Sequence, residues 1–229
     1  MMADRPKSFD YTNAIYRLCQ DICSKIPTFQ TIDCDRIGYS FSVAKNKQSG
    51  YGRLASISPL RFENGAIVTF KERHITTLSA LGKRIAVVER RYFRARTVIG
   101  EKGNEILYIF DIMAPRFINL SVREKLDTVM HELYHISPKF DGDVRRFPGR
   151  NWQHGNKKAY DARSQAFSEE WLATDPDPRV YDFLKYNVKE LQETYGRIVG
   201  NKYSRVHWIP ISEEEAFRLD HRLATRKNQ

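Results

Sequence analysis

Apolar residues at Val122, Leu126, Val129, Met130, Leu133 and Ile136 recur at three- and four-residue steps, which predicts a helix with one buried stripe. Ser121 and Glu124 have the spacing of a capping box, so the helix should begin there. Pro138 should end it. A second stripe, Ile15, Leu18, Ile22 and Ile26, predicts a helix over residues 10–25, stopped by Pro27. Residues 156–172 and 179–195 read as two more helices, separated by Thr174-Asp175-Pro176-Asp177-Pro178 and closed by Gly196. Ser212 opens a last helix whose first turn carries Glu213, Glu214 and Glu215, where negative charge is favoured.

The stretch between residues 36 and 112 has a different rhythm. Ile37-Gly38-Tyr39-Ser40-Phe41-Ser42-Val43 alternates weakly, and Ile106-Leu107-Tyr108-Ile109-Phe110-Asp111-Ile112 is a continuous apolar run; both read as strands. Leu60-Arg61-Phe62 and Ile67-Val68-Thr69-Phe70 flank Asn64-Gly65, a hairpin signal. Val98-Ile99 and Ile106-Leu107-Tyr108-Ile109 flank a turn over residues 100–104. Residues 74–81 are compatible with either helix or strand. Residues 206–211 read as a short extended segment. The expectation is an α+β protein: an N-terminal helix, an antiparallel or mixed β-sheet, then a helical half. Residues 1–229 are read as one domain, with about 175–229 a helical extension on the same core.

The chemistry sits on the capped helix. His131-Glu132-Leu133-Tyr134-His135 puts two histidines four residues apart on one helix face, so both imidazoles can reach one metal ion. Zn²⁺ is the usual ion for neutral imidazole. Glu132 is displaced around the helix, placed as a general base toward a metal-activated water and not as a ligand. A catalytic zinc normally takes three protein ligands. His154, followed by Gly155, is the leading candidate for the third. Asp141 is the alternative, six residues after His135, although Pro138 does not suit the sharp turn that spacing needs. Glu169 or Glu170 on the next helix is a further candidate.

The run from His131-Glu132-Leu133-Tyr134-His135 through Pro138, Phe140-Asp141-Gly142-Asp143, Arg145-Arg146-Phe147 and Gly149-Arg150 to His154-Gly155 resembles the phage metallopeptidases. These share their motif with the SprT-like zinc peptidases. The resemblance covers residues 105–172. It implies a zincin-type active-site helix, His131, His135 and His154 as zinc ligands, and Glu132 as catalytic base. The implied activity is zinc-dependent hydrolysis of a protein or peptide substrate. Many SprT-like proteins carry a C-terminal zinc ribbon; this chain has no cysteine after Cys34, so no such DNA-targeting ribbon is expected. The residues themselves suggest a strand before the metal helix, within 106–112, as the edge on which a peptide could lie. Arg145, Arg146, Arg150, Tyr160 and His207 are candidate stabilisers of an oxyanion, and Asp141 or Asp143 could orient a ligating histidine.

Composition adds one further feature. The net charge is +10, and residues 61–102 hold ten Lys/Arg against four Asp/Glu. Within Glu89-Arg90-Arg91-Tyr92-Phe93-Arg94-Ala95-Arg96, cations alternate with aromatics, which suits nonspecific contact with nucleic acid. The second reading of the chain follows from this: a basic nucleic-acid-binding protein with a structural or vestigial zinc. Cys19, Cys23 and Cys34 are read as small buried residues of a reduced compartment; a three-thiolate metal site is the other possibility for them. No apolar run approaches the ~20 residues of a membrane span. Met1-Met2-Ala3-Asp4-Arg5-Pro6-Lys7 lacks the apolar core of a signal peptide, so a cytoplasmic location is expected.

Overall fold

A computed structural model describes residues 8–43, 52–148, 154–203 and 208–221. Arg150 and His207, two of the oxyanion candidates, lie outside them. β1 (Ser8–Asp10) runs into α1 (Tyr11–Lys25). Asp10 caps that helix by accepting the Asn13 N–H, and Pro27 follows its last turn, as the pattern predicts. Then come β2 (Ile37–Val43), β3 (Ala55–Pro59), β4 (Val68–Leu78), β5 (Arg84–Arg94), β6 (Val98–Ile99), β7 (Glu105–Ile106) and β8 (Tyr108–Ala114). The chain continues with α2 (Val122–Tyr134), α3 (Lys157–Leu172), α4 (Pro178–Tyr181), α5 (Val188–Tyr195), β9 (Arg197–Val199), β10 (Ile209–Ile211) and α6 (Glu213–Leu219). The architecture is α+β. No helix among the described residues is long and apolar enough to cross a membrane.

The central sheet has three strands in the order β2-β8-β3. β2 runs parallel to β8 and β3 antiparallel, with Tyr39 and Ile57 both opposite Phe110. Successive side chains of a strand point to opposite faces. Tyr108, Phe110, Ile112 and Ala114 of β8 therefore share one face, and all four lie in the main core. α1 packs against β2 and α2 against β3, completing that core with Ile15, Leu18, Ile22, Leu126, Val129 and Leu133. Phe183, Leu184 and Leu191 from the C-terminal part lie in the same core. Cys19, Cys23 and Cys34 are buried there as free thiols. β1 pairs in parallel with β9, placing Ser8–Asp10 beside Arg197–Val199.

Three local expectations are corrected. The strand expected over 106–112 is two elements: β7 pairs with β6, whereas β8 lies between β2 and β3. Both edges of β8 are occupied, so it cannot accept a peptide as an added strand. Asn64-Gly65 does not close a hairpin. It lies in a 3₁₀ turn, with Asn64 at φ 56° and Gly65 at φ 71°, that links β3 of the central sheet to β4 of another. Long-range bonds decide this: Leu60 N–H donates to Leu107, Arg61 N–H to Gly142, and the Asn64 N–H to the Asp143 carboxylate. Residues 179–195 form no continuous helix. α4 passes into a 3₁₀ turn over Asp182–Lys185, and α5 starts afresh from Asn187, with Glu190 completing its capping box. The buried Lys125 ammonium donates to the Leu184 and Tyr186 carbonyls at the break. Residues 74–81 resolve as the end of β4 and the turn after it. β4 and β5 pair over their full length in an antiparallel hairpin, and β10 joins β5 only at Tyr92–Arg94.

Candidate metal centre

α2 is fixed at both ends. Ser121 accepts the Glu124 N–H while the Glu124 carboxylate accepts the Ser121 N–H, so both halves of the capping box form. The helix closes at Tyr134, with His135 as its C-cap residue. His131 and His135 thus project from the last turn. Their Nε2 atoms are 3.2 Å apart. Two nitrogens on one tetrahedral zinc, each at about 2.0–2.1 Å, would be about 3.3 Å apart.

His154 reaches the same point from the other side. Gly155 has φ +58°, and a Cβ there would approach Phe147 Cβ to 3.3 Å. The residue after His154 is therefore favoured as glycine, which explains the His-Gly pair. Asn156 then caps α3 by accepting the Ala159 N–H. Donor atoms of His131, His135 and His154 all lie within 4.8 Å of one another, and no other such group of His, Cys, Asp or Glu occurs among the described residues. The cysteines form no metal cluster there.

The donor set suits zinc. Burial and the neighbouring histidines lower the His135 pKa to about 3, with Arg145 adding to the effect. Burial, then the His154 charge, also lowers that of His131. Both imidazoles are neutral near pH 7, the form that ligates. Asp161 Oδ1 lies 3.5 Å from His131 Nδ1, leaving Nε2 to face His135 Nε2. Tyr160 packs against all three histidine rings, with centroids 4.7–5.0 Å away, and its hydroxyl donates to the His131 carbonyl.

Glu132 is buried beside the cluster, and its Oε2 accepts the Ile57 N–H of β3 at 2.8 Å. Desolvation raises its pKa to about 7, against the lowering effects of that hydrogen bond and of Arg53. A carboxyl group with that affinity can both take and return a proton near neutral pH. A cleft of about 710 Å³ opens over this group, lined by Arg53, Ala55, Asp127, His131, Glu132, His154 and Asp161 among others.

The remaining candidates fall elsewhere. Asp141 accepts the Asp143 N–H inside its own loop, apart from the histidine cluster. Asp143 is committed to Asn64, Val144 and Arg146. Neither pairs with a histidine of the cluster; Asp161 pairs with His131. Glu169 pairs with Arg123 on the exposed side of α3, and neither it nor Glu170 joins the cluster. Arg145 donates to the Tyr134 carbonyl and stacks over the Tyr134 ring at 4.3 Å. Arg146 holds Asp143. Asp161 was missed because it sits next to the buried stripe of α3 (Tyr160, Ser164, Phe167, Ser168, Trp171) and is visible only once that stripe is known to face α2.

No family model, curated protein or solved structure matches this chain.

Proposed function

We infer that the chain is a zinc-dependent metalloendopeptidase. One observation carries this reading: three imidazoles, two at the end of α2 and one just before α3, converge beside a buried carboxyl group whose pKa lies near 7. His131, His135 and His154 would hold the ion, which when bound would polarise a scissile carbonyl and acidify water toward a pKa of about 7. Glu132 Oε1 would take a proton from the attacking water and pass it to the leaving amine. Its other oxygen is held by the Ile57 N–H, which fixes the carboxyl plane. Asp161 would keep His131 in the tautomer that ligates through Nε2.

The peptide would lie along β3, the edge strand next to α2. Ser56 and Ser58 pair toward β8, so Ala55 and Ile57 turn their backbone groups outward. The Ile57 N–H is spent on Glu132, leaving the carbonyls and the Ala55 N–H for a substrate strand. Among the described residues the protein-side donors number three, the catalytic pattern, whereas a structural zinc usually takes four.

Metal content by mass spectrometry tests the site. One zinc per chain, lost in His154→Ala and kept in Asp141→Ala, is expected. Glu132→Gln should keep the zinc and lose cleavage of an unfolded protein substrate. A wild type that takes up no supplied zinc, or a Glu132→Gln variant that cleaves normally, would overturn the reading.

A further inference from the structure

The β4–β5 hairpin takes no part in the metal centre. Among the described residues only its base is anchored: Val68 and Tyr92 are buried with Ala216 of α6, and β10 covers Tyr92–Arg94. From residue 71 to 91 no residue is buried. Eight paired residues of β4 beyond Phe70 extend this ribbon by roughly 25 Å. A free two-stranded hairpin is marginal in water. Leu78 and Leu81, 66% and 86% exposed at the tip, make it an unfinished surface.

Charge identifies what completes it. Residues 68–94 hold seven Lys/Arg and two Glu. Arg90 and Arg91 are paired with Glu72 and Glu89, and Arg94 with Glu215. Lys71, Arg73, Lys83 and Arg84 have no ion pair among the described residues. Lys71 and Arg73 stand on β4 near the base of the ribbon and Lys83 and Arg84 at its tip, where Arg84 is directly opposite Leu78. Unpaired cations at both ends of the ribbon suit contacts with phosphates on a polyanion. At the base, Lys71 sits 4.6 Å over the half-exposed Trp208 ring, which packs beside Phe62 and Phe93.

We propose that the β4–β5 hairpin is an arm that docks in the major groove of duplex DNA, with Lys71, Arg73, Lys83 and Arg84 on the phosphates and the apolar tip against the base edges. The major groove of B-form DNA, about 12 Å wide, admits a two-stranded ribbon, and thymine methyl groups offer apolar contacts there. The deep, narrow major groove of an RNA duplex does not admit one. The inference is independent of the metal centre.

The test is fluorescence anisotropy with a labelled DNA duplex of arbitrary sequence over a salt series. The variant carries Gln at Lys71, Arg73, Lys83 and Arg84. A charge-matched control carries Gln at Lys139, Arg163, Arg179 and Lys189, all exposed and off the hairpin. Circular dichroism and melting temperature confirm that each variant folds; the single variants Lys83→Gln and Arg84→Gln, at the exposed tip, repeat the measurement with minimal disturbance. The hairpin variant should bind about tenfold or more weakly, with the slope of log K against log salt reduced by about 3–4, while the control retains most of its affinity. Each single variant should reduce the slope by about 1. Four results would each overturn the proposal. They are no duplex binding by the wild type at low salt, equal losses in the two four-site variants, equal affinity for an RNA duplex, and dimerisation abolished by Ile75→Ser/Val87→Ser with DNA affinity intact. The last would assign the ribbon to a second copy of the chain.

Discussion

Tyr108→Phe isolates one buried hydroxyl that holds the loop between the second and third histidines. Tyr108 is fully buried in β8. Its hydroxyl donates to the Asp143 carbonyl at 2.7 Å and accepts the Gly142 N–H at 3.0 Å. Replacement by Phe removes one oxygen and leaves the ring packed on Phe140, whose centroid is 5.2 Å away. The two bonds are not equal losses. The Asp143 carbonyl keeps a second donor, the Ser137 N–H at 3.2 Å. The Gly142 N–H has no other acceptor among the described residues, and Gly142 is buried. One orphaned buried N–H costs about 1–3 kcal/mol, and the weakened carbonyl adds little. For a chain of this size each kcal/mol lowers Tm by about 2–4 °C. Urea unfolding followed by circular dichroism should show the midpoint falling at constant slope. Tyr16→Phe is the control, since the Tyr16 hydroxyl binds Asp35 and Lys102 at the surface and should cost less than about 0.5 kcal/mol. Equal effects for the two substitutions would refute the reasoning, because burial of the orphaned donor is its only source of asymmetry.

Other substitutions test other levels. Asp161→Asn should weaken zinc binding about 10–100-fold in chelator competition without changing the unfolding midpoint of the metal-free protein; unchanged affinity would remove Asp161 from the centre. Lys125→Met should cost about 1–3 kcal/mol, since the Leu184 and Tyr186 carbonyls lose their buried donor; a neutral result would mean that water replaces it. Burial holds the Lys125 pKa at about 8 against 10.5 for the free side chain, with Glu190 opposing in part. The unfolded chain therefore binds more protons between pH 8 and 10.5, so wild-type stability relative to Lys125→Met should rise with pH through that window and stay level below it. A difference that falls across the window would show that the ammonium is stabilised, not penalised, at its site.

The division between what could and could not be read in advance follows the range of the interactions involved. Helix starts at Tyr11, Val122, Lys157 and Glu213 were legible because each is decided by a side chain within three residues: Asp10, Ser121, Asn156 and Ser212 each accept a nearby N–H. The three histidines were legible for a related reason. Two share a helical turn, and the third announces itself through Gly155, whose positive φ is a local demand. Sheet order is different. Nothing within 106–112 says that both edges of β8 are taken, because the partners lie about 70 residues upstream in β2 and about 50–57 upstream in β3. Asn64-Gly65 carries the local chemistry of a turn, and a turn is what forms; that it joins two sheets is decided by Leu107, Gly142 and Asp143. Residues 179–195 have helical spacing throughout, yet the stretch breaks where Lys125, some 60 residues earlier, claims two carbonyls. The consequence for the site is specific. Local sequence identified the three histidines that cluster, but the strand next to them was misassigned to β8. β3 takes that place only because its pairing with β8 turns the Ile57 N–H toward Glu132.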